Sequence, residues 1–163
     1  MSDTFTAYFL LKFLHVIGST VLLGTGAGIA FFMVMANRTG DAAVVAGTAQ
    51  IVVLADLVFT ATAVIAQPIT GILLARTAGY ALTEPWIVAS IALYVFTGLF
   101  WLPVVWMQAR MRTLARTAAS TGQQLPAEYH SLYRWWFAFG FPAFAAVLAI
   151  FWLMITRPQI HLW

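Results

Sequence analysis

The stretch YFLLKFLHVIGSTVLLGTGAGIAFFMVMAN, Tyr8 to Asn37, is apolar almost throughout, yet it carries Lys12 and His15 three residues apart. As a helix rising about 1.5 Å per residue, such a run is long enough to cross a hydrocarbon core roughly 30 Å thick. An open strand would leave its backbone N–H and C=O groups unpaired in lipid, whereas a helix satisfies its own. The stretch therefore reads as a transmembrane helix. Its two polar groups need either partners or a way out to water.

The rest of the chain repeats the pattern. Hydrophobic residues make up 63% and charged residues 8% of the 163 residues, where an ordinary soluble domain carries about 25% charge. So few charges cannot cover a soluble surface, so the chain is read as an integral membrane protein. The first apolar run is too long for a leader, and Asp3 rather than a basic cluster precedes it, so this helix is expected to be retained. The sequence contains no cysteine, which excludes disulfides, thiolate metal sites, iron–sulfur clusters and thioether-attached haem.

Four apolar spans are predicted, at about residues 8–36, 48–76, 85–112 and 132–156, giving an all-α, four-transmembrane-helix bundle in a single domain. The connections NRTGDAAVVAGT, RTAGYALTEP and RTLARTAASTGQQLPAEYHS are short and carry turn residues, with Pro85 suited to a first helical turn. Arg38, Arg110, Arg112, Arg116 and Arg134 fall on one side, and Lys12, Arg76 and Arg157 on the other. The positive-inside rule then places both termini outside, which in a bacterial inner membrane means the periplasm. The segment ARMRTLAR continues the third helix past the bilayer. Its arginines read as an anchor to anionic headgroups, worth roughly 1 kcal/mol each, rather than a nucleic-acid patch.

Helical spacing sorts the intramembrane polar residues into stripes. Lys12, His15, Ser19 and Gly26 share a face of the first helix, and Asp56, Thr60, Gln67 and Thr70 share one on the second. Ser90, Tyr94, Thr97, Trp101 and Gln108 form the longest stripe, on the third. With alternating helix directions, an outer cluster forms around His15, joined at its depth by Ser19 and Thr70 and with Gln67, Ser90 and Tyr94 within reach. An inner cluster gathers around Asp56, with Trp101 and Gln108 at its depth. An unpaired ionised group at mid-membrane costs roughly 2.5–3.5 kcal/mol. Asp56 is therefore expected to form an ion pair with Arg110 or Arg134, whose guanidinium can fork onto a carboxylate, or to be held as a protonated, hydrogen-bonded acid, with a proton-relay role as the alternative. Lys12 can snorkel to the headgroups.

His15 is read as a satisfied polar contact, with haem b ligation or a quinone contact as the alternatives. His130 in the inner loop and His161 past the last helix lie off its level, while Met154 matches it in depth. Gly24 and Gly28, in GTGAG, form a small-xxx-small pattern that lets another helix approach closely. A homo-oligomer or a membrane-protein partner could supply that helix. The indoles of Trp101, Trp106, Trp135 and Trp136 read as an interfacial belt, and Pro103 and Pro142 as kinks.

LLKFLHVIGSTVLLGTGAGIAFF, QPITG, LYVFTGLFWLPVVWMQARMR, WWFAFGFPAF and FWLMITRP together resemble a bacterial family of small predicted integral membrane proteins classed as a domain of unknown function. The resemblance spans nearly the whole chain. More distantly, Lys12 and His15, with Pro85 and Trp86, resemble the openings of the first and third spans of the HemJ-type protoporphyrinogen oxidases, four-helix proteins associated with haem b. Val88 and Ser90 stand where that family has a histidine and a lysine, and Ala36 stands near its second histidine.

The function expected from these readings is a structural or accessory element of the inner membrane. The rival is a haem b, porphyrin or quinone redox protein built around His15. No serine with a paired base supports a hydrolase, and no set of metal ligands at standard spacing supports a metalloenzyme.

Overall fold

The computed structural model describes residues 2–158. Its elements are α1 (Ser2–Thr39), α2 (Ala42–Ala55), a π-helical turn (Asp56–Thr60), α3 (Ala61–Thr77), α4 (Pro85–Thr121) and α5 (Ala127–Thr156). The second span is the continuous rod of α2, π turn and α3. Among the described residues there are no strands, and four helical spans are long and apolar enough to cross a membrane.

The helices outrun the apolar stretches that announce them. The second span begins at Ala42 rather than near residue 48, the third continues to Thr121, and the fourth starts at Ala127. At 37 residues, α4 is roughly 55 Å long, well beyond the hydrocarbon thickness. Local chemistry sets the ends. Gly40, at φ 67°, makes the sharp turn after α1. Asp41 then caps α2, its Oδ1 accepting from the backbone N–H of Ala43 at 2.7 Å and Val44 at 3.4 Å. Pro85 opens α4, where no N–H is required, and Gly122, at φ 64°, closes it.

α1 lies along the whole second span, α2 lies against α4, and α4 runs antiparallel to α5 along its length. α1 and α5 touch only slightly. Packing is concentrated at the end holding the α1–α2 and α4–α5 turns, where Met33, Val45, Ala49, Met111, Ala115, Tyr129 and Trp136 form one core. A smaller cluster of Ala75, Trp86 and Ile87, with Tyr80, Leu82 and Met154 against it, closes the opposite end. We call these the inner and outer ends, following the arginine count. Most other large apolar side chains are exposed, as a surface facing lipid acyl chains requires.

The π turn has a reason in register. The buried positions Val52, Asp56 and Thr60 are each four residues apart, a spacing that drifts off the face of a helix with 3.6 residues per turn. One wide turn, with Ala61 N–H bonded to the Asp56 carbonyl five residues back, absorbs that drift.

Candidate functional site

Two polar clusters occupy the interior, both hung on the second span. At the outer one, α1 and α3 meet through a reciprocal pair of glycines. A Cβ added to Gly71 would lie 3.1 Å from His15 Cε1, and one added to Gly18 would run into the amide nitrogen of Gln67. Each helix thus supplies a side chain and a bare backbone position to receive its partner's. Gln67 Nε2 donates to the His15 carbonyl at 3.0 Å, and the Ser19 hydroxyl reaches that same carbonyl at 2.7 Å and Gln67 Oε1 at 3.1 Å.

The imidazole itself is half-buried, with Nδ1 2.9 Å from Thr70 Oγ1. That hydroxyl also sits 2.8 Å from the Ala66 carbonyl oxygen, a separation that requires a proton between the two oxygens. Having spent its one proton there, Thr70 is an acceptor for His15 Nδ1–H. In the neutral ring of that tautomer, Nε2 carries a free lone pair. A histidine held through one ring nitrogen and open at the other is how imidazole ligands are oriented.

Of the three groups expected around His15, only Gln67 touches it, through the backbone. Ser90 is buried but donates within α4, to the Trp86 carbonyl at 2.7 Å. Tyr94 donates to the Val64 carbonyl across the α3–α4 gap. Pro68 explains this contact. Lacking an N–H, it leaves the carbonyl four residues earlier without its helical partner, and that carbonyl belongs to Val64. Thr70, Gly18 and Gly71 complete the outer site. Their signal in the sequence is their spacing of three and four residues from His15 and Gln67.

Lys12 is exposed, its ammonium 5.7 Å from the centroid of the Tyr8 ring. Tyr8 is one turn nearer the chain start, so the lysine turns toward the membrane edge. Met154 packs in the small outer cluster with Trp86 and Ile87. His130 is exposed in the first turn of α5 at the inner end. His161 lies outside the described residues.

At the inner cluster the Asp56 side chain, with its residue only 6% exposed, is clamped by neutral donors. Trp101 Nε1 donates to Oδ1 at 3.4 Å. The Gln108 amide, oriented so that its oxygen accepts from Trp136 Nε1 at 3.2 Å, donates from its nitrogen to Asp56 Oδ2 at 3.2 Å. An indole N–H can only donate, so Trp136 dictates which way the amide faces. Trp101 and Trp136, read from the sequence as interfacial, are thus members of this network. Thr60, one turn beyond Asp56 on the same face, has a buried hydroxyl oxygen without a hydrogen bond. Asn37 Oδ1 and Tyr129 OH, also at the inner end, are likewise buried without hydrogen bonds.

The anticipated pairing of Asp56 with Arg110 or Arg134 does not form. Arg110 instead grips Glu128 with both arms, Nε to Oε1 at 2.7 Å and Nη2 to Oε2 at 3.1 Å, on the exposed surface. Arg134 is exposed. The reason is angular. Arg110 is two residues from the inward-facing Gln108, and Arg134 two from the buried Trp136, and two residues turn a helix by about 200°. Both arginines therefore point away from the acid.

The small-xxx-small pattern at Gly24 and Gly28 is not used by a helix of this chain. A Cβ at Gly24 or Gly26 would meet nothing within 4 Å, and one at Gly28 only Phe32 of the same helix. The close helix approach within this chain is at Gly18 and Gly71, not along GTGAG.

The profile of a family described as predicted integral membrane protein (DUF2269) matches residues 9–158. No curated protein and no solved structure matches the chain.

Proposed function

The chain belongs to the DUF2269 family of predicted integral membrane proteins, and from that premise we propose that it is an accessory element of a bacterial inner membrane. In this reading its intramembrane polar groups serve to fasten the helices to one another. The supporting observation is that these groups are spent inside the bundle. Gln67 ties α3 to the α1 backbone, Tyr94 ties α4 to the carbonyl freed by Pro68, and Gln108 ties α4 to both Asp56 and Trp136. Interhelical hydrogen bonds in lipid contribute about 0.6 kcal/mol each on average and up to about 1.7. A handful of them orders a bundle whose apolar faces gain little by leaving lipid. Both termini lie in the periplasm, and Arg110, Arg112 and Arg116 sit among anionic headgroups of the inner leaflet.

A second reading rests on one specific observation, the free Nε2 of His15. Its ring is pinned by Thr70 and backed by Gly71, so that lone pair would be the group to hold the iron of a haem b, or to accept the O–H of a quinol. Of the residues weighed from the sequence, His15 alone would hold a haem here, with His130 exposed at the inner end and Met154 packed in the small outer cluster. When bound, haem would supply one-electron chemistry. The chain's own part would be to hold the imidazole in a single tautomer and orientation.

One experiment separates the two readings, the absorption spectrum of protein purified in detergent from haem-sufficient cells. A colourless protein is the outcome expected of the accessory role. A Soret band with reducible α and β bands, lost in His15→Ala, would replace it with the haem reading. Reporter fusions at Arg38 and at the C-terminus test the topology. Alkaline phosphatase active at the first loop and silent at the C-terminus would invert it.

A further inference from the structure

We propose that Asp56 is a reversible proton-binding site in the bundle interior, its acid form donating its O–H to Thr60 Oγ1. The inference stands apart from the accessory role and begins with a charge count. Asp56 lies fourteen residues into a span that starts at Ala42, about 21 Å along the helix axis. It is buried in the bundle at the level of Gln108, toward the inner end of the apolar run. Both hydrogen bonds that reach it come from neutral donors, Trp101 and Gln108. Two of the roughly four lone-pair positions of a carboxylate are thereby filled, and no positive charge balances the anion.

The elements packed around the π turn supply no such charge. Between His15 and Arg38, α1 has no titratable residue, and neither does α2 after Asp41 nor α3 before Arg76. From α4 come Tyr94, bonded to the Val64 carbonyl, Arg110, turned outward to Glu128, the half-buried Arg112 one turn beyond Gln108 and the exposed Arg116, none of which is hydrogen-bonded or ion-paired to Asp56. From α5 come Tyr129, Tyr133 and the exposed Arg134. The ionised form is thus well hydrogen-bonded but lacks a counter-charge. The neutral form needs one acceptor for its O–H, and Gln108 cannot serve because Trp136 occupies its oxygen. Thr60 can. Its residue is 6% exposed, it lies one helical turn from Asp56 on the same buried face, and its hydroxyl oxygen has no hydrogen bond.

The coordination chemistry selects the ligand. Among the described residues no three His, Cys, Asp or Glu side chains converge, whereas calcium takes six to eight oxygens and magnesium a near-ideal octahedron. A carboxylate and one hydroxyl are too few for those ions. They are sufficient for a proton, which needs one base and one acceptor. Uptake is a simple addition, in which an Asp56 oxygen lone pair bonds H+ and the resulting O–H points at Thr60.

The test is infrared difference spectroscopy of the full chain in lipid vesicles as pH is stepped. The expected result is a carboxylic-acid carbonyl band that Asp56→Asn removes. Its intensity should fall about tenfold per pH unit above its midpoint, as a single site does, and be indifferent to replacing K+ with Na+. In Thr60→Val the band should move to higher wavenumber, because the acid loses its acceptor. Thr60→Val deletes a hydroxyl that makes no hydrogen bond, so it tests the assignment even if Asp56→Asn does not fold. The absence of any Asp56-dependent acid band would overturn the proposal. So would a band abolished by Na+ at fixed pH, which would mark a metal-ion site, or one unmoved in Thr60→Val.

Discussion

The inner and outer clusters are built from the same kinds of residue on the same rod, yet they solve opposite problems. At the inner end every donor converges on one buried acid, and the surrounding core of Met33, Met111, Tyr129 and Trp136 seals it. At the outer end the helices approach on glycines, and the ring at the centre keeps one nitrogen open. A sealed network can be dissected only at the expense of stability. An open one can lose its functional atom while the bundle persists.

This difference orders the consequences of mutation, read as unfolding free energy in mixed micelles titrated with SDS. Gln108→Leu should be the most damaging, at about 3 kcal/mol, because it leaves both the Asp56 carboxyl and the Trp136 N–H unpaired in the interior. Next comes Gly18→Val, at about 2 kcal/mol, since its Cβ would displace Gln67 from the α1 backbone. Tyr94→Phe should cost about 1 kcal/mol by abandoning the carbonyl that Pro68 already deprives of its helical partner. Arg110→Ala, on the exposed surface, should leave the unfolding curve where it is. A Gly18→Val loss exceeding that of Gln108→Leu would reverse the comparison, placing the dominant lock at the outer end.

Much of this could be read in the sequence, and the failures are instructive. The spans were visible because apolar length is a strong signal, and the stripes because a 3.6-residue period sorts faces. The helix ends were not. Asp41, Gly40 and Gly122 extend the helices into polar sequence where hydropathy is silent. Depth alone suggests the ion pair, and azimuth rules it out. Arg110 is at the level of the inner cluster but about 200° round the helix from Gln108. Tyr94 was grouped with His15 by depth, whereas counting four residues back from Pro68 identifies Val64 as the carbonyl in need of a donor. Trp136 illustrates a different limit. An indole near an interface usually faces headgroups, and only the packing of α5 on α4 turns this one inward to Gln108.

The account turns most directly on the protonation of one ring. In solid-state NMR of 15N-histidine-labelled protein in lipid bilayers, near neutral pH, the His15 signals can be assigned by their loss in His15→Ala. The Thr70 proton, committed to the Ala66 carbonyl, makes Nδ1 the donor. A ring in lipid with no carboxylate partner among the described residues is expected to stay neutral, so the expected state is protonated at Nδ1 and bare at Nε2. A ring protonated at Nε2 instead, or an imidazolium with both nitrogens protonated, would contradict the open outer site and the contrast drawn between the two clusters.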